Sequence, residues 1–116
     1  MAAPFRAHFL RREHDFDAIF QNGRKTYYEG LMLVTATGTE PHPRLGIMIN
    51  RKRGKAHDRN AFRRRAKAWF WRHRADIRPG ADFVLVATTP VKVIPRQALY
   101  DRLRELFTRS GAAASL

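Results

Sequence analysis

The chain has 116 residues, 44% of them hydrophobic and none of them cysteine, and its 23 Lys and Arg against 10 Asp and Glu leave a formal charge of +13. That length makes one domain with a core of its own, the apolar content excludes a disordered tail, and the missing cysteine excludes a disulfide framework and thiolate metal sites. No apolar run reaches the roughly eighteen residues that cross a bilayer and the first residues hold no uninterrupted apolar segment, so neither a membrane span nor a secretory signal is expected, and the cytoplasm is the default compartment.

In chain order, a first helix is expected near residues 15–22, where Phe16 and Phe20 stand four apart with Ile19 beside them and Gly23 follows as a stop. A Phe pair at that spacing belongs more often to a core than to a binding surface. Residues 31–37 are aliphatic and β-branched, residues 38–43 carry turn formers, and Leu45, Ile47 and Ile49 alternate. These two runs predict a β-hairpin, with a further short strand over residues 24–29. Residues 51–57 read as a basic loop containing Gly54, after which Asp58 can cap a helix that runs to about Arg74. On that helix Phe62, Ala66, Trp69, Phe70 and His73 fall on one face, the expected buried stripe. Residues 83–88 are apolar on both alternations, as an inner strand covered on two sides would be. A last helix is expected from near Pro95, with Leu99, Leu103, Leu106 and Phe107 on one face and Gly111 past its end. Residues 1–9 and 112–116 are expected to be flexible.

The charge is concentrated. From Arg44 to Arg74 there are twelve Lys or Arg and a single acid, Asp58. A solvated face suits a helix of mixed sign, but here like charges at i, i+4, such as Arg59, Arg63 and Lys67, repel by a few tenths of a kcal/mol each, roughly. A polyanionic partner would offset that repulsion, and nucleic acid fits better than an acidic membrane surface because no amphipathic segment is left over from the core. Trp71 falls among the basic residues, where it could stack on a base or pack beneath arginine stems.

Little points to catalysis by the chain itself. His8, His14, His42, His57 and His73 show no ligand spacing, so no metal site is expected, and Asp15 and Asp17, two apart, project to different sides of a helix. Gly46 and Gly54 belong to no phosphate-cradling loop.

Arg44-Leu45-Gly46-Ile47, followed by Arg51-Lys52-Arg53-Gly54-Lys55-Ala56, Arg59-Asn60 and Arg63-Arg64-Arg65, resembles the signature of the protein subunit of bacterial ribonuclease P. Asp15-Phe16, Phe20 and Gly23 are similar to that family's first helix, and the likeness spans about residues 10–107. The resemblance implies a single α+β domain over residues 1–116, ordered αβββαβα around a central sheet with a left-handed β-α-β crossover against the usual rule, a ribosomal protein S5 domain 2-like fold. It implies that the partner RNA is the ribozyme, removing the 5′ leader of precursor tRNA by metal-assisted hydrolysis. Mg2+ would be held mainly by RNA, with no small-molecule cofactor and no catalytic side chain from the protein. By the same resemblance Arg51, Lys52, Lys55, Arg59, Asn60, Arg63, Arg64 and Lys67 would contact the catalytic RNA, and Phe16, Phe20 and Val34 would line a cleft for the single-stranded leader. The chain departs from the family pattern at His57-Asp58, where two aliphatics are usual, at Ala61, where a basic residue is common, and at Trp69 and Trp71. The alternatives are a generic RNA-binding or ribosome-associated protein with no processing role, and a nuclease that works without RNA.

Overall fold

Two successive residues with left-handed backbone, Glu29 at φ 45° and Gly30 at φ 77°, close the first hairpin. They join strand β1 (Arg24–Tyr28) to strand β2 (Leu31–Thr37), which pair antiparallel with Tyr28 opposite Leu31. Positive φ at both central positions makes this a type I′ turn, whose twist matches that of the strands. The computed structural model describes residues 3–114 and 116.

The hairpin expected between residues 31–37 and 45–50 does not form. Strand β3 (Arg44–Met48) lies at the far edge and strand β4 (Ala81–Ala87) is inserted beside β2, giving the order β1-β2-β4-β3. β4 runs antiparallel to β2 and parallel to β3. Its apolar residues on both alternations can satisfy two covered faces only from the centre of the sheet, and the residues 38–43 need to cross just about 10 Å, two strand spacings, to leave that place open.

Helix α2 (Ala56–His73) is the crossover that makes the β3–β4 pair parallel, and it packs with helix α3 (Arg96–Arg109) on one sheet face. Their buried residues, Phe62, Ala66, Trp69 and Phe70 from α2 and Leu99, Leu103, Leu106 and Phe107 from α3, meet Leu31, Leu33, Phe83 and Leu85 of the sheet. Phe107 is the hub, 4.9 Å from Phe83, 5.3 Å from Trp69 and 5.9 Å from Phe70 between ring centroids. Helix α1 (Glu13–Asn22) covers part of the opposite face with Ile19, Phe16 and Phe20 over Val34, Met32 and Val84. The order is therefore αβββαβα, a single α+β domain with a mixed four-stranded sheet.

Asp58 is the third residue of α2 and not its cap; Lys55 occupies that position without a side-chain bond. The carboxylate still lies in the first turn, where it meets the positive end of the helix dipole, and it is 3.2 Å from His57 Nε2. Parts of both ends are packed against the core. Residues 5–8 form a 3-10 turn followed by buried Phe9 and Leu10, and Ala112 and Ala113 are buried behind a helix stop in which Gly111, at φ 79°, lets the Ala112 amide return to the Phe107 carbonyl. Apolar side chains at both ends supply the burial that holds them there.

Candidate nucleic-acid interface

Three residues after Met48, Arg51 opens a 3-10 turn, Arg51–Arg53, that feeds α2. Asn50 accepts from the Lys52 amide at 2.9 Å, which fixes the turn and leaves the Arg51 and Lys52 side chains, like Lys55, exposed. Along α2 and onto its C-cap, Asn60, Arg63, Arg64, Lys67, Trp71 and Arg74 follow one another at helical spacing and form one stripe that flanks the buried face.

Not all the expected contacts stand equally free. Arg59 is half-buried and its Nε donates to the Gly54 carbonyl at 3.1 Å, bracing the loop. Asn60 is exposed, its oxygen accepting a long bond of 3.4 Å from Arg63. Arg65, adjacent in sequence to Arg63 and Arg64, turns to the other flank, where it lines a small cavity with Asp58, Val91, Ile94 and Pro95. Lys67 is half-buried with its ammonium 5.4 Å from the Phe9 ring; burial lowers its pKa, and Arg11 and Arg63 nearby lower it further. Among the described residues none of these cations has an acid within ion-pairing distance, although Arg44, Arg104 and Arg109 each pair with one elsewhere.

Trp71 packs beneath an arginine: the Arg74 guanidinium lies 3.6 Å from its ring centroid, while Phe5 and His8 meet it edge-on at 5.1 Å. Of the departures from the family pattern, His57 is exposed and Ala61 half-buried.

The second surface is the sheet face that α1 only partly covers. Cross-strand partners share a face, so Lys25, Val34, Val84 and Gly46 form one row and Tyr27, Met32, Val86 and Met48 the next. α1 closes the first row. A Cβ at Gly46 would stand 2.2 Å from Phe16 Cε1 and one at Gly23 2.5 Å from Val34 Cγ1, so helix and sheet are in direct contact there. Val34, expected to touch the leader, is 0% exposed and can only support the floor. The reason is its row: Ile19 and Phe20 lie over it. Phe16 and Phe20 are half-buried, with one edge in the core and one outside, and Lys25 Nζ is 5.9 Å from the Phe20 ring. The second row is covered only at Met32, which lies in the cluster beneath α1; Met48 and Val86 are half-buried and Tyr27 is 63% exposed.

Tyr27, Met48 and Val86 were not among the expected site residues. An aromatic pair on a short basic strand was the available hint, but only the register shows that Tyr27 points to this face and Tyr28 to the other. The open row runs out at Met48, toward the basic turn at Arg51, so the two surfaces adjoin through the chain itself. The arrangement supplies unpaired cations, an apolar strip and aromatic edges, which are means of binding RNA. Among the described residues no three His, Asp or Glu side chains lie together as a metal ion would require, and no helix is long and apolar enough to cross a membrane.

A family profile described as Ribonuclease P matches residues 5–111. The ribonuclease P protein component of Pseudoalteromonas atlantica is 32% identical over 95 residues, which cover 81% of this chain and 78% of that protein. That of Exiguobacterium sibiricum is 28% identical over 103 residues, 88% of this chain and 89% of the relative. The structure of the Staphylococcus aureus RNase P protein superposes with a TM-score of 0.84 over 91% of this chain and 97% of that one, at 22% identity, a likeness of fold.

Proposed function

The chain belongs to the ribonuclease P protein family, and from that premise we propose that it binds a catalytic RNA along α2 and holds the 5′ leader of precursor tRNA on the open sheet row beside α1. The observation that carries this reading is the outward stripe of α2, whose cations have no acid to neutralise them among the described residues. Such a field is costly alone and favourable against phosphates, because each contact releases condensed counterions. Arg51, Lys52, Lys55, Arg63, Arg64 and Lys67 are the phosphate contacts, with Asn60 as a polar partner and Arg59 acting chiefly by fixing the loop through Gly54.

On the other surface, Phe16 and Phe20 present ring edges and Tyr27, Met48 and Val86 an apolar strip. Contacts of this kind accept bases of any identity, as a leader of varied sequence requires. The Mg2+ ions of the reaction belong to the RNA in this reading: among the described residues no three His, Asp or Glu side chains lie together as a metal ion would require, so the chain's own side chains do not fit a metal site. The protein's part is to neutralise crowded phosphates and orient substrate.

Reconstitution tests the reading. Cleavage of precursor tRNA is expected only when the protein is mixed with a ribonuclease P RNA subunit at low Mg2+; cleavage by the protein alone would overturn it, and no stimulation of the RNA would leave a generic RNA-binding protein. Phe20→Ala should weaken binding of precursor tRNA to the holoenzyme by about 1 to 3 kcal/mol, in the range of one base stack, and leave mature tRNA unaffected. Equal losses for both substrates would place Phe20 in the core alone.

A further inference from the structure

We propose that the groove between α2 and the N-terminal 3-10 turn receives an unpaired nucleobase, stacked on the exposed ring of Phe5 with its phosphates between Arg63 and Lys67; this rests on the reading that RNA lies along α2. The groove has a volume of about 880 Å3, a size that takes a small-molecule-sized group. Phe5, Asn60, Arg63, Lys67, Trp71 and Arg74 line it, and every charged side chain on its walls is a cation.

Phe5 is 46% exposed, one of the few large apolar side chains left in water. It is nevertheless held in place, its ring centroid 4.7 Å from that of Phe9 and 5.1 Å from that of Trp71. The turn that carries it is fixed from both sides: the Ala7 amide and the His8 ring nitrogen Nδ1 both meet the Pro4 carbonyl at 3.0 Å, and the His42 ring nitrogen Nε2 meets the Ala7 carbonyl at 2.9 Å. A stacking partner therefore loses little entropy in finding the ring already ordered. Trp71 serves as backing, because the guanidinium of Arg74 already covers its face. The cations answer the other half of a nucleotide. Lys67 stands among Arg63 and Arg11 in a half-buried position, and an incoming phosphate relieves both the crowding and the lost hydration.

The position suits a bulged or single-stranded nucleotide and excludes a base inside a duplex, whose faces are taken by its neighbours. Stacking also has a signature that separates it from phosphate contact: it releases no counterions, so it changes affinity without changing the dependence on salt.

The experiment measures binding of the full chain to a transcript of a ribonuclease P RNA subunit across a salt series. Phe5→Ala and Phe5→Leu are both expected to bind about 5- to 150-fold more weakly with an unchanged slope of log K against log salt, whereas Arg63→Ala flattens the slope. Wild-type affinity in both Phe5 variants beside a weakened Arg63→Ala overturns the base slot and leaves the α2 interface standing. Recovery in Phe5→Leu of what Phe5→Ala loses overturns it too, since an aliphatic side chain packs the turn but offers no π-face. Binding of a polyglutamate peptide with the same dependence on Phe5 assigns the groove to a protein partner instead. Failure of the wild-type chain to bind the transcript overturns the parent reading and the slot together.

Discussion

Gly46 is the residue on which α1 rests. With Phe16 Cε1 only 2.2 Å from where a Cβ would be, the ring lies on bare backbone, and no side chain can be added without moving it. Two positions earlier on the same face, Arg44 donates from Nε and Nη2 to the two carboxylate oxygens of Asp82 at 2.9 and 2.7 Å, tying the edge strand to the central one and holding its own pKa above the ordinary value through that bond. The Arg44-Leu45-Gly46 step is thus an anchor followed by a seat. Gly46→Ala is expected to lift Phe16 from the sheet, destabilise the fold by about 1 to 3 kcal/mol as overpacking does, and weaken precursor tRNA more than mature tRNA. Urea unfolding and paired affinity measurements check it. The motif was visible in the sequence; its partner, thirty residues upstream, was not, because only packing brings Phe16 over Gly46.

At the scale of an element, α2 divides its cations by direction. Arg63, Arg64 and Arg65 form one run in the sequence, yet successive residues turn by about 100° on a helix, and Arg65 faces the cavity it lines with Val91 and Pro95 while the other two remain on the outward stripe. Arg63→Ala and Arg64→Ala should each flatten the slope of log K against log salt by about 0.7 to 0.9, and Arg65→Ala should leave it unchanged. A salt titration of RNA affinity with the three variants measures this. The stripe was legible from periodicity alone. Trp71 was not, since the sequence places it among the basic residues without saying whether a base or an arginine covers it; tertiary contact with Arg74 and with the N-terminal turn decides.

For the whole molecule, two histidines couple stability to pH. His8 is buried beside the Trp71 ring, with His42 4.6 Å away and Arg74 nearby; burial lowers its pKa from the ordinary 6.5, the bond to the Pro4 carbonyl opposes this, and the two neighbours add to the lowering. His73, 4.6 Å from Trp69, is lowered mainly by burial and further by Arg104 and Arg72, with Asp76 opposing. Well above 6.5 both imidazoles are neutral folded or unfolded, and stability is full. As the pH falls through 6.5 toward the lowered folded values, the unfolded chain takes up protons that the folded chain refuses, and stability declines. The urea midpoint should therefore drop between about pH 7.5 and about pH 5.5, and His8→Phe should reduce that drop.

The sequence by itself determined what depends on local spacing and on composition: three helices and their buried stripes, the apolar character that makes β4 central, the position of the cation field and the class of partner it suits. These follow from the periods of helix and strand and from charge, which neighbouring residues set among themselves. Strand order, the positions that α1 covers and those it leaves open, the burial of Val34 and the packing of residues 8–10 and 112–113 were decided only by the tertiary structure. They depend on which distant segments compete for the same apolar surface, and that competition is settled when the whole core closes.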